Sequence, residues 1–349
     1  MEIKPIHEFI IQAKKELVKI QRGETKLVKT GREAIDSTLG GLLPGDIVVV
    51  AGASGHGKTT ELLKIKENIL DKEINPESDD YVFLDLSLEM KVFNIILRGL
   101  DNRMSKSKKE ILTSEFTKEE IEIAKEYFKK IDDKRHFISQ KPTTPLDFYS
   151  GTKKFAEEHR DKKAIIVSID HILLISGQDK QKVLMSTIEY INQLKLEFDN
   201  IYFIVLSQLN RGILDRIYER NRISQPNTSD LYMSEAMLQA ASYVIVVHNP
   251  YKLGINEYSL VNPKHYEYLS QHFGQMKKDK VSFLTFGRIF YHVLKIREGG
   301  VVYDDIYIEE IDLPKKYKEQ EIERKEINLQ GESPENAFEM SDDLDPLPF

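Results

Sequence analysis

Gly52-Ala53-Ser54-Gly55-His56-Gly57-Lys58-Thr59 is the stretch of this sequence with the plainest chemistry. It fits the pattern G-x-x-x-x-G-K-[ST], in which glycines let the main chain wrap close to phosphate oxygens and turn its N–H groups inward as donors. In that pattern Lys58 reaches the β- and γ-phosphates and Thr59 ligates Mg²⁺, with Thr60 next in the first helical turn. The preceding Asp46–Ala51 is a short apolar, β-branched run, and a helical stretch begins near Lys58. A helix start adds its positive end to an anion site. This strand–loop–helix setting is what separates a phosphate cradle from an ordinary glycine turn.

Cleaving a triphosphate such as ATP needs more than a cradle. Ala164–Asp170 is an apolar strand ending in a carboxylate. At the C-terminal edge of a strand Asp170 lies near the Mg²⁺, although an Asp there also suits a helix cap. Glu89, in Leu86-Ser87-Leu88-Glu89-Met90, follows another strand; it suits a base that orients and deprotonates water, and equally an acid in a helix first turn. Ser207-Gln208 ends a further strand, where Gln208 suits a γ-phosphate sensor or a simple polar exit.

The elements that must carry these groups read as α/β. Buried-strand candidates are Tyr81–Leu86, Ala164–Ile169, Ile201–Leu206 and Tyr243–Val247, besides the run ending at Ala51. Helical patterns lie between most of them, including Thr117–Lys130, Pro145–His159 and Lys182–Phe198. Continuous apolar strands separated by helices predict a mostly parallel sheet covered on both faces. Ile289–Ile296 and Val301–Ile308 flank Arg297-Glu298-Gly299-Gly300 and predict a closing antiparallel hairpin. Residues 5–21 form one amphipathic helix, with Ile6, Phe9, Ile10, Ala13, Leu17 and Ile20 at helical spacing and Gly23 as its stop. The expected division is an N-terminal helix at 1–27, an α/β domain at 28–312 and a charged tail at 313–349, with six acids and no base from 331 onward. Such a tail is expected to stay disordered.

Bulk composition narrows the classes. With 40% hydrophobic residues, 349 residues suffice for one large core. The net charge of -7 is not that of a DNA-coating protein, but it does not exclude nucleic acid, since positive charge can be gathered on one surface. Cysteine is absent, which excludes disulfides and thiolate metal sites and suits a reducing compartment. No apolar run approaches the ~20 residues of a membrane span, and Met1–Pro5 lacks the apolar core of a signal peptide. The expected location is the cytoplasm, of a bacterium or of a host cell if the chain is phage-encoded.

Thr30-Gly31, Gly40-Gly41-Leu42-Leu43-Pro44-Gly45-Asp46, the phosphate loop, Leu86–Met90, the Asp170 strand and Ser207-Gln208-Leu209-Asn210-Arg211 occur in one order. Together they resemble the RecA-like C-terminal motor domain of DnaB-type replicative DNA helicases, over residues 28–310. Ser229-Asp230-Leu231 and Lys295-Ile296-Arg297-Glu298-Gly299 are weaker matches. The resemblance implies a RecA-like core, a hexameric homo-oligomer binding ATP and Mg²⁺ between neighbouring cores, and translocation on single-stranded DNA. It implies Glu89 as the catalytic acid–base, Asp170 as the magnesium-associated acid and Gln208 as the coupling sensor. Arg297 is implied as an arginine finger inserted into the next subunit's site, with Lys295 beside it. Residues 5–21 are then expected to dock on a neighbouring subunit or to pack on their own domain.

Candidate DNA contacts are Arg211, Arg216, Arg220 and Arg222, in Asn210–Ser229, and the loop Ser176–Lys182. The sequence departs from the family at Tyr232-Met233-Ser234-Glu235, where Arg-Glu-Ser-Gly is expected. About 27 residues precede the core, so docking of a primase through an N-terminal helical domain is not expected. Pro250–Phe286 is long and rich in Tyr, His and Lys, including Tyr251, Tyr258, His265, Tyr266, Tyr268, Lys277 and Lys278. It suits base stacking, an interface brace or a plain surface insertion. Ser341–Phe349 resembles the acidic tip of single-stranded-DNA-binding proteins and suits a hook for primase or other replication and repair proteins, or a solubilising tail. The competing functions are a RecA/RadA-type recombinase or mediator, and a nucleotide-switched adaptor or loader.

Overall fold

Five apolar, β-branched runs become strands buried along nearly their whole length. These are β1 (Ile47–Gly52), β2 (Tyr81–Ser87), β4 (Ala164–Asp170), β5 (Ile201–Gln208) and β6 (Tyr243–His248). The structure is a computed structural model and describes residues 5–22, 27–104, 106–141, 143–210, 212–213, 225–232, 235–261, 280–297 and 305–311. The short β3 (His136–Ser139) pairs with β2. Two further strands, β9 (Arg288–Ile296) and β10 (Asp305–Glu310), complete a sheet of order β10-β9-β6-β1-β5-β4-β2-β3. From β6 to β3 every pairing is parallel; β9 is antiparallel to β6 and to β10.

Strand periodicity sends alternate residues to opposite faces. Ile47, Val49 and Ala51 pack with Phe148 of α7 (Pro145–Glu158) and with Leu184, Ile188 and Ile191 of α8 (Lys180–Glu197). Val48 and Val50 pack with Ile35 of α2 (Glu33–Leu39) and with Leu62, Ile65 and Ile69 of α3 (Lys58–Ile69). A satellite core joins Leu97 and Leu100 of α4 (Val92–Met104), Ile111 of α5 (Lys108–Thr113) and Tyr127 of α6 (Lys118–Ile131). Reciprocal caps start α6 at Thr117 with Glu120 and α7 at Thr144 with Asp147. The last α/β helix is α9 (Glu235–Ala240), and α1 (Ile6–Gln21) precedes the core.

The parallel sheet covered by helices and the C-terminal antiparallel pair match the expected architecture, with Ile308 opposite Phe290. The expected strands stop a residue or two early: the real ones run to Ser87, Asp170, Gln208 and His248, because polar residues still join the ladder. The expected loop Ser176–Lys182 is corrected at its end. Asp179 accepts from the N–H groups of Gln181 and Lys182, so α8 begins at Lys180, whose ammonium donates to the carbonyls of Leu173 and Ile175.

In the long insertion, Pro250–Leu253 forms a short turn and β7 (Glu257–Val261) pairs with β8 (Lys280–Leu284). Tyr258 is 1% exposed and packs against His248, Phe290 and His292, which excludes it from base stacking. Tyr251 packs edge-on against Phe286. Arg211, Arg216, Arg220 and Arg222 lie outside the described residues. So do His265, Tyr266, Tyr268, Lys277, Lys278, the segment 298–304 and the tail 313–349 with its acidic tip. Among the described residues no helix is long and apolar enough to cross a membrane.

Candidate nucleotide site

β1 lies between β5 and β6, where the sheet changes direction of connection, and its C-terminal end opens into the phosphate loop. That is where open α/β sheets bind ligands. Gly52 must be glycine for space: a Cβ there would stand 2.7 Å from Val247 O and 3.0 Å from Lys58 Cγ. Gly55 (φ 76°) and Gly57 (φ 102°) take left-handed conformations that turn the loop back on itself. α3 starts at Lys58, so the loop ends on a helix N-terminus. The Lys58 ammonium donates to Gly52 O (2.9 Å) and Ala53 O (3.0 Å). Thr59 and Thr60 are buried in the first turn, and Thr60 Oγ1 has no hydrogen-bond partner among the described residues. His56 contributes main chain only. Its ring is 2% exposed, accepts from Asn249 N at 3.1 Å and packs near His248.

Register brings the other groups to the same edge. Ser87 pairs with Asp170, and Gly52 pairs with Gln208. Leu88 N donates to Asp170 O (2.9 Å) and Ser87 Oγ donates to Met90 O (2.8 Å), which fixes the bend carrying Glu89. Glu89 is exposed and stands before α4 begins at Val92, so it is not a first-turn helix acid. A cleft of about 470 Å³ joins Ser54, Gly57, Lys58, Glu89 and Gln208. That size suits a nucleotide-sized ligand.

The charges in this cleft act on one another. Burial, then Asp85 and Glu89, push the Asp170 carboxyl up to about 7, against Arg98 and Lys58. Burial lowers the Lys58 ammonium to about 8, against the pull of Glu89 and Asp170. Several cleft residues escape a reading of the sequence alone. Arg98 projects from α4 together with Asn94 and Asp101. Their spacing makes a polar stripe on a helix otherwise rich in Ile and Leu, which was the available signal. His171, directly after Asp170, lines the cleft beside Gln208 and has its proton affinity lowered chiefly by burial. Lys252 enters from the turn after β6 and has no sequence signal of its own.

Arg297 and Lys295 lie elsewhere. Arg297 N donates to Ser242 O, and Ser242 N donates to Ile47 O, so Arg297 stands level with the start of β1. Gly52 is at the other end of that strand, roughly 16 Å away at about 3.3 Å per residue. The Arg297 guanidinium donates to Gln239 O (2.8 Å) and Ala240 O (3.1 Å), and Lys295 donates to Leu238 O and Gln239 O. Both therefore cover the last carbonyls of α9, far from the cleft of their own chain.

The donor set fits a nucleotide with its metal. The loop turns on positive-φ glycines, and the buried Thr60 hydroxyl and the Lys58 ammonium, which rests on the loop's own carbonyls, both come from the first turn of α3. Among the described residues no group of three His, Cys, Asp or Glu side chains could hold a metal alone. Mg²⁺ needs no such cage, because it is completed by phosphate oxygens and water beside one or two protein ligands.

A family model described as the DnaB-like helicase C terminal domain matches residues 28–283. The chain is similar to the replicative DNA helicase DnaB of Buchnera aphidicola subsp. Baizongia pistaciae: 25% identical over 224 residues, covering 63% of this chain and 46% of that protein. It is also similar to the DnaB of Mycoplasma genitalium, 26% identical over 243 residues, covering 66% of this chain and 48% of that one. The chain thus spans about half the length of these curated relatives. Among solved structures, the ATPase domain of G40P superposes with a TM-score of 0.64 at 18% identity, covering 88% of this chain and 95% of that chain. A DnaB-like replicative helicase, solved with attention to its interactions with primase, gives 0.61 at 18% identity, covering 88% and 64%. At those identities the structures speak for the fold alone. The family match covers well over half of the chain and contains the whole phosphate edge, so the chain belongs to the DnaB-like helicase C-terminal domain family.

Proposed function

We propose that this chain is the motor of a replicative DNA helicase, which hydrolyses ATP at the seams of a ring and moves along single-stranded DNA. One observation carries the reading: Lys58, Thr59, Glu89, Asp170 and Gln208 share one end of the sheet, while Arg297 stands at the other. A site complete except for its finger is what a shared interface requires.

Thr59 and Asp170 are the residues that would hold Mg²⁺. Bound with ATP, the ion neutralises phosphate charge and polarises the bond to be cut. The amides of residues 52–59 hold phosphate oxygens, and Lys58 exchanges its carbonyl partners for them. Glu89, exposed in the cleft, orients a water and accepts its proton. Gln208 and His171, which line the cleft together, link the terminal phosphate to β5 and the segment after it, which contains Arg211, Arg216, Arg220 and Arg222. That segment is proposed to follow the DNA backbone, with contacts that do not depend on sequence. Arg297 is proposed to leave α9 and enter the neighbour's cleft, where a finger contributes about 10³–10⁵ in rate. Exposed Ile6, Ile10, Ile11, Leu17 and Val18 on α1 support its docking on a neighbouring copy. The acidic tip Ser341–Phe349 is proposed as a hook for primase or repair proteins.

The test is hydrolysis and forked-DNA unwinding by wild type and Lys58→Ala. Wild type should hydrolyse ATP faster with a single strand present and open the fork, and Lys58→Ala should do neither. A wild type that binds ATP without DNA-stimulated turnover would point to an adaptor or loader instead.

A further inference from the structure

Lys252 sits in the turn Pro250–Leu253, and nothing in the phosphate-loop pattern accounts for it. The turn is fixed to the site at several points. Asn249 N donates to His56 Nδ1 (3.1 Å), and Lys252 N donates to the Asn249 side chain (3.4 Å). Gly254, at φ 70°, ends the turn by donating to Tyr251 O (3.0 Å). The Lys252 side chain then reaches over the loop: its ammonium donates to Gly55 O at 2.6 Å and lines the cleft shared by Lys58 and Glu89.

The cleft holds further charges beside it. Arg98 pushes against Lys58 and stabilises the Asp170 carboxylate, and it also pushes against Lys252. Lys252 shares this cleft with Glu89, the proposed acid–base for the water that attacks the terminal phosphate of a triphosphate. Lys58 donates to Gly52 O and Ala53 O, and Lys252 makes a contact of the same kind to Gly55 O. A phosphate oxygen is a charged acceptor, about twice as strong a partner as a neutral one. An anion between Lys252 and Arg98 also removes their mutual repulsion.

We propose that Lys252 is a second phosphate-contacting cation, supplied by the same chain, which leaves Gly55 O to hold the terminal phosphate of a nucleoside triphosphate. This rests on the reading of the cleft as a nucleotide site. The test uses the full chain with Mg²⁺ and no DNA. It measures binding of ADP and of a β,γ-imido analogue of ATP to wild type, Lys252→Met, Lys252→Arg and Lys58→Ala. Lys252→Met should bind the triphosphate analogue about tenfold more weakly, about 1.4 kcal/mol, while its ADP affinity stays within about twofold of wild type. Lys252→Arg should recover most of the loss, and Lys58→Ala should weaken both ligands. Lys252→Met matching wild type for both ligands, or weakening both equally, overturns the proposal while wild-type binding keeps the nucleotide site. Wild type binding neither ligand overturns both.

Discussion

Two groups at the phosphate edge of the sheet have their charge set by their surroundings in opposite senses. Asp170 is raised to about 7, chiefly by burial, and must be ionised to hold a metal. Lys58 is lowered to about 8, again by burial, and must be protonated to hold phosphate. In the free protein kcat/KM for ATP should therefore rise with pH through about 7 and fall through about 8, a narrow bell. Asp170→Asn should remove the acid limb and lower the rate; a wild-type profile flat across both limbs would contradict this. Gly52→Ala tests the loop by shape. The added Cβ meets main-chain oxygen, so unfolding free energy should drop by about 1–3 kcal/mol and nucleotide affinity should fall, as denaturant melts and titration would record. Lys58, Thr59, Glu89, Asp170 and Gln208 could be nominated from the sequence because each ends or follows a strand or belongs to the glycine pattern. Arg98, His171 and Lys252 were not, since their reach into the cleft depends on where α4 and the turn after β6 settle.

At the scale of elements, the buried strands announced themselves by unbroken Val and Ile runs, and their ends did not. β2, β4 and β5 continue into Ser87, Asp170 and Gln208 because the ladder accepts polar residues at an edge open to a cleft. β3 is half exposed and only four residues long, and β7 and β8 form a separate pair, so neither leaves a clear run. What no periodicity could show is how α2, α3 and the closing hairpin are locked together. Arg32 Nε pairs with Glu61 Oε1 (2.6 Å), its Nη2 pairs with Glu309 (2.6 Å), and Tyr291 donates to Glu61 Oε2 (2.9 Å). Glu61 is 1% exposed, so removing Arg32 leaves a buried charge short of its partner. Arg32→Ala should destabilise the fold by about 3–5 kcal/mol, and adding Glu61→Gln should recover part of that. Thermal melts of the single and double variants read the difference; additive losses would mean the pair is not coupled.

For the whole molecule, the net charge of -7 leaves room for the proposed ring, which needs positive charge only along its channel. Deleting residues 1–22, which contain the apolar face of α1, should lower the sedimenting mass while leaving nucleotide binding in place. An unchanged assembly would remove α1 from the interface. The most direct measurement mixes two inactive proteins, Lys58→Ala and Arg297→Ala, and follows DNA-stimulated ATP hydrolysis. In mixed rings some seams join an intact cradle to an intact guanidinium, so part of the wild-type rate should return. No recovery, in a mixture demonstrated to contain hybrid oligomers, would contradict a site shared between protomers.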